Sequence, residues 1–208
     1  MNYLEVFKIF SRKNGSQHIA TEYALRGIEE LIQKNKIKVV FEFGIGIGTI
    51  PYLCAVLDKN INYYGTESND FCINELNKNL ENVKNNLKFT HLNNFEDFDE
   101  NIKFDLIIID GEVNNSEFIK SITHKDSIIF IEGDRKSQCD FIKNIFPDSL
   151  QVRKITSKRH KSYSPFGSEN FGGGYTIFRL NNSLKNKILT LFDKIETSFK
   201  YKITRKLR

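Results

Sequence analysis

The chain has 208 residues, of which 39% are hydrophobic and 27% charged; this suits one folded domain with its own core and excludes a disordered chain. A net charge of +5 and a pI near 9.0 permit a nucleic acid, a phosphorylated ligand or an anionic membrane as partner and require none of them. Three widely spaced cysteines without a C-x-x-C pair exclude a disulfide framework or a zinc ribbon, and no apolar run approaches the roughly 18–20 residues that span a bilayer. The expectation is a soluble protein of a reducing compartment, cytoplasmic in location.

Tyr3–Phe10 reads as a short helix or an extended arm. Ser16 is a candidate cap for a helix running to about Asn35, with Ile19, Tyr23, Ile28, Leu31 and Ile32 near one face. Short apolar runs then alternate with amphipathic stretches. The runs are Ile37–Phe43, Ile61–Thr66, Leu87–Leu92, Phe104–Asp110, Ser127–Glu132, Gln151–Thr156 and Gly174–Leu180. Helices fit between them at Thr49–Asp58, Asn69–Leu80, Asn115–Thr123 and Lys136–Phe146. Phe104–Asp110 and Ser127–Glu132 are nearly unbroken β-branched and aromatic segments, as strands covered on both faces should be. The alternation predicts a seven-stranded, mostly parallel sheet with helices on both faces. No helix separates the last two runs, so they form an antiparallel pair.

The tail stands apart. Leu184, Ile188, Leu191, Ile195 and Phe199 recur at helical spacing and predict an amphipathic helix over Asn182–Phe199. It leads into Lys200, Lys202, Arg205, Lys206 and Arg208, with no acid among them. Its apolar face packs on the domain or on a second subunit; the alternative is a peripheral contact with an anionic membrane.

Candidate chemistry gathers at the ends of the strands. Glu42-Phe43-Gly44-Ile45-Gly46-Ile47-Gly48-Thr49 closes a buried strand with a glycine turn that opens a helix. A dinucleotide fingerprint would need glycine where Thr49 stands. Glu67 closes the next strand, 23 residues after Gly44, and its carboxylate suits the vicinal hydroxyls of a ribose. Ser68 and Asn69 follow, each also able to cap the next helix. Asp110 ends the most apolar strand, on the edge where ligands lie in open α/β sheets. Ser157–Tyr163, with Arg159, His160 and Lys161, opens a long basic segment between the last two strands. His160 has the side chain for proton removal near neutral pH.

These motifs resemble class I S-adenosylmethionine-dependent methyltransferases over about residues 18–180, most specifically at 39–49 and 104–110. The resemblance implies a Rossmann-like domain at 1–180 with an N-terminal helical cap, followed by a basic amphipathic helix at 181–208. It implies S-adenosylmethionine as cofactor, held by Glu42, Gly44, Gly46, Gly48, Glu67, Ser68, Asn94 and Asp110, with Phe95 packing on the adenine. Catalytic roles fall to Asp110 and His160. The strand ends Asp110 and Glu132-Gly133-Asp134-Arg135 are similar to those of small-molecule O-methyltransferases, including the catechol type and proteins acting on polysaccharides. In the catechol type such acids hold Mg²⁺. Here the adjacent Asp-Asn pair is missing and Arg135 stands beside the acids, so no catalytic metal is expected. The acceptor is then a small molecule or a sugar, with a phosphorylated one favoured by Arg159 and Lys161, and a homodimer is compatible. An RNA methyltransferase is the first rival, although no Asn/Asp-Pro-Pro-Tyr/Phe motif follows the fourth strand and a nucleic-acid partner is not expected. A noncatalytic adaptor and an aminopropyl transferase are the others.

Overall fold

Both faces of the central strands are apolar, and the structure shows why. In a computed structural model, described for residues 1–92, 98, 101–133 and 135–206, seven strands form one sheet. They are β1 (Val39–Phe43), β2 (Asn62–Thr66), β3 (Lys88–Leu92), β4 (Phe104–Ile109), β5 (Thr123–Glu132), β6 (Leu150–Ile155) and β7 (Gly174–Arg179). Their order is β3-β2-β1-β4-β5-β7-β6, with β7 antiparallel to both its neighbours and every other pairing parallel.

Alternate residues of the central strands feed two cores. Val40, Leu106, Ile108 and Phe130 pack on one face beneath α1 (Tyr3–Phe10), α2 (Glu22–Lys34) and α3 (Thr49–Leu57). Phe41, Ile107, Ile109, Ile129 and Ile131 pack on the other with Phe118 and Ile142, from α5 (Ser116–Ile122) and α6 (Lys136–Ile145). Each such side chain contributes about 1.5–3 kcal/mol of burial, which explains runs too apolar for a half-exposed sheet. The remaining helices are α4 (Asp70–Leu80) and α7 (Leu184–Lys206).

One open alternative is settled and two expectations are corrected at the two ends of the chain. Tyr3–Phe10 is a helix, not an arm: the Asn2 side chain accepts from the Leu4 and Glu5 N–H groups, Glu5 accepts from the Asn2 N–H, and Phe7 and Phe10 are buried. Ser16 does not cap α2. It opens a single 3-10 turn, Ser16–His18, and Thr21 caps α2 by accepting from the Ala24 N–H. That turn frees residues 17–21 to lie across the carboxyl edge of the sheet.

The second correction concerns α7, whose apolar stripe does not pack on the domain. The helix lies along edge strand β6 through its polar side. Asp193 accepts from Lys154 and Arg179, Glu196 from Lys154 and Lys200, Thr190 from Arg179, and the Thr197 hydroxyl donates to the Arg153 carbonyl. Partners for these polar residues hold the helix in this rotation, and the apolar positions are left outside.

Candidate active site

The parallel strands bring their carboxyl ends into line. Phe43 is in register with Thr66 on one side and Ile109 on the other, and Ile109 with Ile131. Gly44, Glu67, Asp110 and Glu132 therefore fall on one edge. The strand order reverses between β1 and β4, and such a switch point opens a crevice where the following loops part. A cavity of about 890 Å³ lies there, within the range of roughly 300–1,000 Å³ typical of small-molecule sites.

The glycine turn forms its floor. The Gly44 and Ile45 N–H groups donate to the Thr66 carbonyl, pinning the turn to β2. Gly44, Gly46 and Gly48 all have left-handed backbone, at φ 83°, 59° and 94°. Their neighbours differ. A Cβ on Gly44 would meet the Gly111 backbone at 2.9 Å, whereas one on Gly46 would lie 2.3 Å from the His18 carbonyl oxygen. Gly46 is thus required by the 16–21 segment crossing above it, a protein contact that its place in the motif does not reveal. Gly48 caps α3 and faces Leu76 outside the cavity wall.

Glu67 ties the floor to β2. One carboxylate oxygen accepts from the Gly46 N–H at 2.8 Å and the other from Ser68 and Asn69, both at 2.9 Å. Four lone-pair sites on the carboxylate leave acceptor capacity toward the cavity that Glu67 and Ser68 line. Asn69 caps α4 through its side chain. Glu42 is placed differently: 1% exposed, it lies inside the fold, takes a hydrogen bond from the Tyr63 hydroxyl and is absent from the cavity wall. Burial, augmented by the nearby Asp110, Glu132 and Glu67, pushes it well above the usual carboxylate range despite that bond.

On the far side, Arg135 reaches back from the start of α6 and donates to Asp110 at 2.8 Å and to the Gly111 carbonyl at 3.3 Å. Burial raises the Asp110 pKa, offset in part by that guanidinium. Glu132 is 6% exposed; its Oε1 accepts from the Thr21 N–H at 2.7 Å, and among the described residues no hydrogen bond reaches its Oε2. Burial, with the charge on Asp110, pushes Glu132 up to about 8. Burial thus raises both neighbouring carboxyls, and near neutral pH Glu132 keeps its proton beside the Asp110–Arg135 ion pair.

His160 is not brought to Asp110. It lines a second, smaller cavity of about 170 Å³ with Glu22, Arg26, Lys158, Arg159, Lys161 and Lys200. There burial lowers its pKa, opposed by Glu22 and Glu169. Phe166 lines the larger cavity, and its ring lies 5.3 Å from that of His160 in the smaller one. Asn94, Phe95 and Asp134 lie outside the described residues.

Sequence reasoning missed Thr21, His18 and Phe166 as cavity residues and gave Glu132 no role but that of a metal ligand. Thr21 carried a usable signal, a threonine directly before the acidic first turn of α2.

Solved structures share this architecture at low sequence identity. The chain is similar to an O-methyltransferase from Bacillus cereus in complex with S-adenosylhomocysteine: 14% identity, TM-score 0.58, 85% of this chain and 90% of that one. The fold is that of the class I methyltransferases. It is similar too to precorrin-6y C5,15-methyltransferase from Geobacter metallireducens, with 16% identity and TM-score 0.55 over 79% of this chain and 91% of that one. A tRNA (m1A58) methyltransferase from Aquifex aeolicus shows 19% identity and TM-score 0.52 over 73% and 66%. Likeness at these identities concerns the fold, and the three proteins are named for different acceptors. No family model matches the sequence, and no curated protein matches it significantly.

Proposed function

We propose that the chain is an S-adenosylmethionine-dependent methyltransferase that acts on a hydroxyl oxygen of a small molecule or sugar. The observation that carries this reading is the charge of the cavity. Its wall holds Glu67, Asp110 and Glu112 together with the protonated Glu132, against one arginine, Arg135, which Asp110 engages. A ligand bearing a sulfonium and an ammonium suits that wall, and a dinucleotide's pyrophosphate does not. Nor does the N-terminus of α3, the helix that follows the glycine turn, face the cavity: Gly44 and Gly46 line it, but no residue of α3 does, and Pro51 in its first turn has no N–H to offer.

In this reading Glu67 accepts from the ribose hydroxyls, Gly44 and Gly46 allow close approach of the ligand backbone, and Ser68 lies at the nucleoside end. Asn94 is proposed beside the adenine. Glu42 and Gly48 act from beneath, Glu42 by bracing the end of β1 through Tyr63 and Gly48 by starting α3. The cofactor supplies a methyl group activated by its sulfonium, so the protein must align it and accept a proton. Asp110, oriented by its ion pair with Arg135 and lining the cavity, is the group with the access to take the acceptor's proton. Glu132, already protonated, keeps a second negative charge from developing beside it.

The smaller cavity is proposed to take an anionic part of the acceptor. Lys158 and Lys161 have no side-chain partner among the described residues, and His160 stands with its ring 5.3 Å from Phe166 in the wall of the larger cavity. A phosphorylated sugar would bridge the two. Incubation with methyl-labelled S-adenosylmethionine and matched sugars with and without phosphate tests this. Label should enter the phosphorylated acceptors preferentially; equal labelling of both, or none with any hydroxyl compound, would count against it.

A further inference from the structure

Helix α7 presents its apolar side to solvent. Leu184, Ile188, Leu191, Phe192, Ile195 and Phe199 are between 44% and 74% exposed. They form one continuous stripe, with neighbours three or four residues apart. The opposite side carries Thr190, Asp193, Thr197 and Lys200 and is held to β6, β7 and Tyr23 by the ion pairs and hydrogen bonds described above, together with a bond from Lys200 to the Tyr23 hydroxyl. Monomeric proteins rarely leave so long an apolar strip uncovered.

The charges beside the stripe identify what covers it. Lys187 and Lys194 border one side, Lys185 the other, and Lys202 continues the stripe beyond Phe199; all four are exposed. The only acids between Leu184 and Lys202 are Asp193 and Glu196, and both are engaged by Lys154, with Arg179 or Lys200 as a second partner. The outward half of the helix is therefore apolar along its middle, and the charges at its margins that are not already paired are lysines, the half-exposed Glu196 being engaged by Lys154 and Lys200. We propose that α7 docks flat on an anionic lipid surface, its apolar stripe among the acyl chains and its lysines at the headgroups. A second copy fits less well, because pairing two such faces sets lysine against lysine with no acid to meet them. The helix does not cross the bilayer, since no helix among the described residues is long and apolar enough.

Docking in this way would hold the site close to the surface. Lys200 lies in the wall of the smaller cavity, so the lipid-facing helix and the proposed acceptor pocket share a residue. The lipid contact itself does not depend on the methyltransferase reading.

Flotation of the full chain tests the proposal, with vesicles of phosphatidylcholine alone and of an equal mixture with phosphatidylserine. The protein should float with the mixed vesicles at low salt, much less with the neutral ones, and less again as salt rises. Leu191→Asp with Phe199→Asp, and separately Lys187→Glu with Lys194→Glu, should each weaken binding at least tenfold. All four positions are exposed, so melting temperature should not change. Flotation of the Asp variant equal to that of the unaltered protein would overturn the proposal. So would a dimer in sedimentation that fails to float and that the Asp variant dissociates, which would assign the face to a second copy. S-adenosylhomocysteine binding, measured on the same preparations without lipid, separates the two readings: its absence strikes the cofactor assignment alone.

Discussion

Replacing Glu132 by glutamine should shift the balance of stability increasingly in favour of the variant as pH rises. The carboxyl is 6% exposed and its pKa lies at about 8, against an ordinary 4.5. A raised value means that the folded state holds the proton more tightly than the unfolded one. Stability is therefore full below about pH 4.5, falls as the unfolded chain alone ionises, and levels off above about pH 8, where the folded group ionises too. Each pH unit across that window costs about 1.4 kcal/mol, so the loss is about 1 kcal/mol at pH 5, about 3 at pH 7 and about 4 at pH 8. Glutamine cannot ionise and avoids the loss. Its amide, placed where no hydrogen bond reaches Oε2 among the described residues, adds a cost of about 1–3 kcal/mol, but that cost is the same at every pH and leaves the slope intact. Urea melts of both proteins from pH 5 to pH 8 read the effect directly. The difference in stability should move in favour of Glu132→Gln by about 3 kcal/mol across that range, corresponding to about 6–12 °C in melting temperature for a chain of this size. A constant difference would refute the reasoning, because the carboxylate would then ionise in the folded protein as it does in water.

Glu67→Gln should weaken S-adenosylhomocysteine at least tenfold in calorimetry, since hydrogen bonds to a charged group contribute about 1.5–3 kcal/mol and an amide would also set N–H against N–H at Gly46 or Ser68; unchanged affinity would remove Glu67 from the site. Gly46→Ala places a methyl 2.3 Å from the His18 carbonyl at a left-handed φ and should lower stability by about 2–4 kcal/mol, visible as an earlier thermal transition. An unaltered transition would mean that residues 16–21 do not cross the turn. Because Arg135 occupies Asp110 and Glu132-Gly133-Asp134-Arg135 replaces an Asp-Asn pair, methyl transfer should survive exhaustive chelation; loss with EDTA and rescue by Mg²⁺ would instead make Asp110 and Glu132 ligands.

Elements buried on two faces were the most legible in the sequence. Phe104–Ile109 and the end of β1 are apolar without interruption because the sheet is covered on both sides, and that condition leaves few alternatives. The glycine turn, Glu67 and Asp110 were legible for a related reason: strand ends position them, and strand ends follow from the runs. What depends on partners far along the chain was not legible. The bond from the Thr21 N–H to Glu132 spans 111 residues, and neither residue's local pattern announces it. His160 had the right chemistry and the right edge of the sheet, yet its loop folds it into the neighbouring cavity. For α7 the periodicity located the apolar stripe correctly but not its direction, because the rotation of the helix is fixed by Lys154 and Arg179 on strands that the stripe never meets. A hydrophobic pattern records amphipathicity; the partners of the polar side decide which half is inside.

Titration of the unaltered protein with S-adenosylmethionine, followed by calorimetry and repeated with NAD, tests the central claim most directly. Saturable binding at one site, weakened by Glu67→Gln, with no heat from the dinucleotide, is the expected result. Binding of NAD in preference to S-adenosylmethionine, or no binding of S-adenosylmethionine by the folded protein, would contradict the account.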